Sequence, residues 1–133
     1  MEYMIGLILA LAVVGLASAL GLNRERGFYP IVLMVIASHY VLFAAMGASS
    51  RTLVIEILVA CGFLLAAALG FRKSLWFVVA GLVGHGVFDF FHHVFIQNPG
   101  VPAWWPGFCL AFDALLGVVL AVGLVRRRER LIG

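Results

Sequence analysis

Residues 85–93, HGVFDFFHH, place three histidines and an aspartate within nine positions of an otherwise apolar stretch. On a helix turning about 100° per residue, His85, Asp89 and His92 fall within about 60° of one another, and His93 widens the arc to about 100°. Imidazole nitrogen and carboxylate oxygen at i, i+4 and i+7 form a donor set that suits Zn²⁺ or a non-haem iron centre. His85, Asp89 and His92 are therefore candidate metal ligands. His93 is a fourth ligand, a donor behind the ligands, or a side chain reaching the membrane interface. The same residues would equally serve a buried hydrogen-bond network, a proton relay or haem ligation.

Three other residues join this set. Asp113 follows Cys109 by four positions and shares its helical face. It would complete the metal site, act as a general base, or pair with a histidine of the first stretch. Glu56 would orient a ligand, move a proton, or pair with Arg51. His39, alone on an apolar stretch, is a further candidate ligand or a satisfied core histidine. Asp113, Glu56 and His93 are thus the candidate acid–base groups and His85, Asp89, His92 and His39 the candidate ligands. Cys109 reads as core, one turn from Asp113.

These residues must be positioned inside a bilayer. The chain has 133 residues, 65% hydrophobic and 11% charged, with a mean hydropathy of +1.15. Soluble domains carry about 25% charged residues. A span needs about 20 mainly apolar residues to cross about 30 Å of hydrocarbon. Five segments have that length, at about residues 3–22, 29–48, 52–70, 75–97 and 105–125. The expectation is an all-α, polytopic five-helix membrane bundle forming a single domain over residues 1–133. The segments are separated by NRERGF, ASSR, FRKS and NPGVPAW, each too polar or too rich in proline and glycine to continue a lipid-facing helix. The first span also resembles a signal-peptide core, but Glu2 precedes it where Lys or Arg would be needed.

With the N-terminus outside, eight basic residues (Arg24, Arg26, Arg72, Lys73, Arg126, Arg127, Arg128, Arg130) lie inside and Arg51 alone outside. The positive-inside rule then predicts an outer N-terminus and a cytoplasmic C-terminus in a bacterial inner membrane. The arginine tail would meet anionic headgroups. In that orientation Asp89 lies about 12 Å from the outer end of its helix, and Asp113 lies level with it. His39 and Glu56 also fall in the central or outer half. An ionisable group at the bilayer centre costs about 3 kcal/mol or more, so such groups face a bundle interior and pair. Seven at related depths predict one convergent, partly hydrated cavity open to the outside.

Arginine clusters beside apolar spans, without interleaved aromatics, report topology and exclude nucleic acid as a partner. Cys61 and Cys109 lie within spans and predict no disulfide. No internal repeat is visible, which disfavours a duplicated transporter. Trp104 and Trp105 read as an interfacial aromatic belt or a lid over the cavity, and Gln97 and Asn98 as caps of the fourth helix. Asn98 and its neighbours lie in a loop rather than a span.

The string HGVFDFFHH followed by NPGVPAWWPGFCLAFD resembles a pattern in a family of small bacterial membrane proteins defined by a domain of unknown function, over about residues 81–117. A second resemblance is to the membrane metallohydrolases of the alkaline-ceramidase and adiponectin-receptor superfamily. Those have seven helices and a C-terminal histidine pair, where this chain has five spans and ends on Cys109 and Asp113. That likeness implies zinc held by histidine and aspartate among transmembrane helices.

The leading expectation is a membrane-embedded metal-dependent enzyme. It would be a hydrolase acting on a lipid, isoprenoid or other apolar substrate, with a divalent cation, zinc ahead of iron, as cofactor. A two-iron version would recruit Glu56 and Asp113. The rival expectation is a non-enzymatic subunit, or a proton- or metal-ion-handling protein, using the same polar cluster. The lipid bilayer is the certain partner, and a homo-oligomer or a larger membrane complex is compatible with so small a bundle.

Overall fold

The structure, a computed structural model, describes residues 1–132. It is all-α, with five helices in chain order: α1 Glu2–Leu20, α2 Phe28–Gly47, α3 Ser50–Arg72, α4 Trp76–Phe95 and α5 Trp105–Ile132. Each is long and apolar enough to cross a membrane. Large apolar side chains such as Ile8, Leu58, Leu65, Phe91 and Val94 project outward from them, as a hydrocarbon surrounding requires.

Local chemistry sets the helix ends. Gly21 adopts a left-handed conformation, φ 76°, and its N–H bonds Ser18 O at 3.2 Å, closing α1. A 3-10 turn over Leu22–Arg24 follows. Pro30 sits in the first turn of α2, where a missing N–H costs no helical bond. The Ser49 hydroxyl caps α3 by accepting from the Thr52 N–H at 3.2 Å. Only Ala48 and Ser49 separate α2 from α3, so the two helices must run antiparallel and side by side.

Two boundaries differ from expectation. α4 ends at Phe95 rather than near residue 97, and α5 continues to Ile132 rather than stopping near residue 125. The second extension has a simple cause, because RRRERLI contains no glycine or proline and is made of good helix formers. Asn98 does not cap α4. Its amide crosses to α2 and α3, and the Ile96 N–H bonds His92 O at 2.9 Å instead.

α5 packs between α1 and α4, α4 touches α2, α3 and α5, and α2 pairs with α3. Buried side chains divide along the bundle axis. Tyr29, Leu33, Val78, Leu82, Leu116 and Leu120 make an apolar core in the half nearer the arginines. Glu56, His85, Asp89, His92 and Asp113 make a polar core in the other half. Gly86 stands at the α4–α5 contact, where an added Cβ would lie 3.3 Å from Asp113 Cβ and 3.4 Å from Leu110 O. The bare backbone there brings Asp113 up to the face that carries His85.

Candidate metal centre

The stripe on α4 is buried: His85 is 1% exposed, Asp89 0% and His92 2%. α5 brings Asp113 and α3 brings Glu56 to the same half of the bundle, equally buried. The α4–α5 packing thus collects a carboxylate from each helix around one imidazole. His85 Nδ1 lies 2.7 Å from Asp113 Oδ2 and 3.1 Å from Asp89 Oδ2. One donor atom from each of these three residues falls within 4.8 Å of the others, so the group can hold a metal ion.

Hydrogen bonding leaves the group incomplete. A single Nδ1 proton cannot satisfy two carboxylates, and both oxygens of Asp89, together with Asp113 Oδ1, are buried without a hydrogen-bond partner. Buried polar atoms are normally paired, so these three call for a further donor or a cation, and the Tyr40 hydroxyl and the Cys109 thiol are the protein's own donors nearest Asp89. Charge points the same way. Two carboxylates and one imidazolium leave an uncompensated negative charge, whereas two carboxylates, a neutral imidazole and a divalent cation sum to zero. The donor chemistry also fits, since imidazole nitrogen and carboxylate oxygen are both ordinary zinc ligands, and three protein ligands leave one position open. Tetrahedral ligation at about 2.0–2.1 Å spaces ligand atoms about 3.3 Å apart, close to the 2.7 and 3.1 Å that separate His85 Nδ1 from the two carboxylates.

A second polar group lies beside the first. His92 Nε2 is 2.6 Å from Glu56 Oε1. The Asn98 amide donates to the same oxygen at 3.0 Å and to Tyr40 O at 3.3 Å. The Tyr40 ring stacks on His92, centroids 4.1 Å apart, and lies 6.1 Å from His85. Its buried hydroxyl and Glu56 Oε2 have no hydrogen-bond partner. Phe63 meets the His85 ring edge-on at 4.7 Å.

The structure therefore divides the residues singled out by sequence. His85, Asp89 and Asp113 come together as one three-donor group. His92 shares their helical stripe, but its Nε2 engages Glu56, and Arg51 plays no part in that pairing. His39 is apart from both groups, with Nδ1 2.7 Å from Val35 O and its ring 5.1 Å from that of Trp105. His93 is exposed. Nothing in the sequence marks Tyr40 or Asn98 as a site residue. Tyr40 looked like any aromatic on an apolar helix, and Asn98 like a cap, because its partners are 42 and 58 residues away.

Two cavities flank the centre. One of about 560 Å³ opens at the loop end, lined by Glu2, Tyr3, His92, His93 and Asn98 among others. The other, about 460 Å³, is an apolar groove among α1, α2 and α5, where Val13, Val35, Phe108 and Phe112 surround His39 and Cys109. His85, Asp89 and Asp113 line neither. The cavity expected at the polar residues thus reaches His92 and stops there, because the rings of Tyr40, Phe63 and Phe88 pack around His85.

No protein-family model, curated protein or solved structure matches this chain.

Proposed function

We propose that the protein is a membrane-embedded metal-dependent hydrolase with a lipid-like or otherwise apolar substrate, in which His85, Asp89 and Asp113 hold a divalent cation. The observation that carries this reading is the buried three-donor group with its unpartnered carboxylate oxygens. Zinc is the preferred ion. One imidazole and two carboxylates depart from the two-histidine, one-carboxylate set of non-haem iron enzymes. A bound zinc ion would supply Lewis acidity and bring the pKa of a water to about 7.

The protein's own residues would do the rest. Asp89 and Asp113 balance the ion's charge, and His85 must present an unprotonated Nδ1 to it, carrying its proton on Nε2. His92 Nε2 and Glu56 Oε1, 2.6 Å apart, share a proton. Because His92 also lines the loop-end cavity, this pair is placed to pass a proton between the site and water, with the Tyr40 ring stacked on His92 and its hydroxyl beside Asp89. Apolar substrate chains have a matching surface in the groove lined by Phe108 and Phe112. Its floor residue Cys109 shares a helical face with Asp113. The likeness to the ceramidase-type membrane metallohydrolases supports the reaction class by analogy alone, and the positive-inside rule puts the loop end outside.

A second reading, a non-enzymatic subunit or ion-handling protein, is favoured by one observation: neither flanking cavity is lined by His85, Asp89 or Asp113. Detergent-solubilised, zinc-loaded protein should therefore be assayed on short-chain lipid esters and amides, beside Asp113→Asn and a chelated sample. Turnover that disappears in both controls and returns with zinc supports the hydrolase. Metal-loaded protein without turnover supports the second reading.

A further inference from the structure

At the end of the bundle opposite the polar core, a cavity of about 420 Å³ lies between the α1–α2 connection and the stretch of α5 from Val118 to Arg127. Arg24, Arg26, Arg126 and Arg127 line it, against the single acid Glu25. We propose that this cavity is a binding site for the phosphate of an anionic membrane lipid.

Position supports a lipid rather than a soluble ligand. From Trp105 to Val125 α5 rises about 30 Å at 1.5 Å per residue, the thickness of the hydrocarbon layer, so Arg126 and Arg127 begin where headgroup phosphates lie. Below the arginines the lining turns apolar, with Leu120 and Leu124 inside the cavity and Val118 and Val122 exposed on its lipid side. A phosphate at the arginines would thus leave its acyl chains running down the outside of α5. Basic pockets between transmembrane helices on the cytoplasmic side are suited to such headgroups, and guanidinium forks suit phosphate oxygens.

The wall is also built rather than merely charged. The Arg26 guanidinium donates to Phe71 O and Gly70 O in the last turn of α3, which ties this wall of the cavity to that helix. The Asn23 amide donates to Ser18 Oγ at 3.2 Å, and its Oδ1 is buried without a partner.

The test is mass spectrometry of the intact protein released from micelles containing phosphatidylglycerol, phosphatidylcholine or inorganic phosphate. Wild type should retain one phosphatidylglycerol per chain and no phosphatidylcholine. Arg126→Gln with Arg127→Gln should reduce that retention about tenfold or more. Arg128→Gln with Arg130→Gln removes the same charge from the same helix outside the cavity, and should leave retention nearly unchanged. Gly123 lines the cavity, and a Cβ there would meet nothing within 4 Å. Gly123→Leu therefore fills space while keeping every arginine, raises helix propensity, and should also lower retention. Equal losses in the two arginine pairs would overturn the site in favour of diffuse attraction, as would full retention in Gly123→Leu. Displacement of the lipid by millimolar inorganic phosphate would overturn the lipid as its ligand.

Discussion

His85 Nδ1 stands 2.7 Å from Asp113 Oδ2, so one short contact between buried side chains joins α4 to α5. Removing either partner strands the other in a low-dielectric interior. Breaking a buried pair in this way costs about 3–5 kcal/mol. His85→Ala and Asp113→Ala should each destabilise the bundle by that order, and the double variant by less than the sum of the two. Unfolding of all three in mixed micelles measures the coupling. Strict additivity would mean that the contact contributes nothing.

His92 and Asp113 should differ in their effect on metal content. His92 Nε2 is engaged by Glu56, and Asp113 belongs to the three-donor group. His92→Gln should keep the metal and lose about 1–3 kcal/mol of stability through imperfect pairing with Glu56. Asp113→Asn should lose the metal. Elemental analysis of the two variants would reassign the ligands if the pattern came out reversed.

Gly86→Val should loosen the α4–α5 contact. A Cβ at Gly86 already meets Asp113 Cβ and Leu110 O at 3.3 and 3.4 Å, and the branched side chain adds two more carbons in that space. Overpacking of this kind costs about 1–3 kcal/mol. Because it pushes Asp113 away from His85, metal affinity should fall along with the melting temperature. A variant with unchanged affinity would show that the centre tolerates helix displacement.

Orientation follows from the arginines. A cytoplasmic reporter fused after the RRRER segment should be active, and a periplasmic reporter at the same point silent. The reverse result would place the loop-end cavity and its histidines on the cytoplasmic side.

The five helices were legible because span length and the breaks at NRERGF, ASSR, FRKS and NPGVPAW are local properties of the chain. The shared depth of Asp89 and Asp113 was legible for a related reason: the residue count down each helix sets it, and the structure brings both into contact with His85 Nδ1. Helical spacing alone could not divide the stripe. It put His85, Asp89 and His92 on one face, and the separation of His92 depends on which neighbour faces each residue. α5 supplies Asp113 at one level and α3 supplies Glu56 at the other. The parts played by Tyr40 and Asn98 were illegible for the same reason, since both arise from contacts between distant segments.

On the proposed reading, a divalent cation completes the charge and coordination of His85, Asp89 and Asp113. The most direct test is metal stoichiometry by mass spectrometry on protein purified in detergent without chelator, for wild type and Asp89→Asn. Asparagine keeps the volume of the side chain and removes the charge that balances the ion. Wild type should carry one divalent ion per chain, and Asp89→Asn at least about a tenfold lower content with its helices still folded. Wild-type protein free of metal, and unable to take up zinc when it is supplied, would contradict this reading.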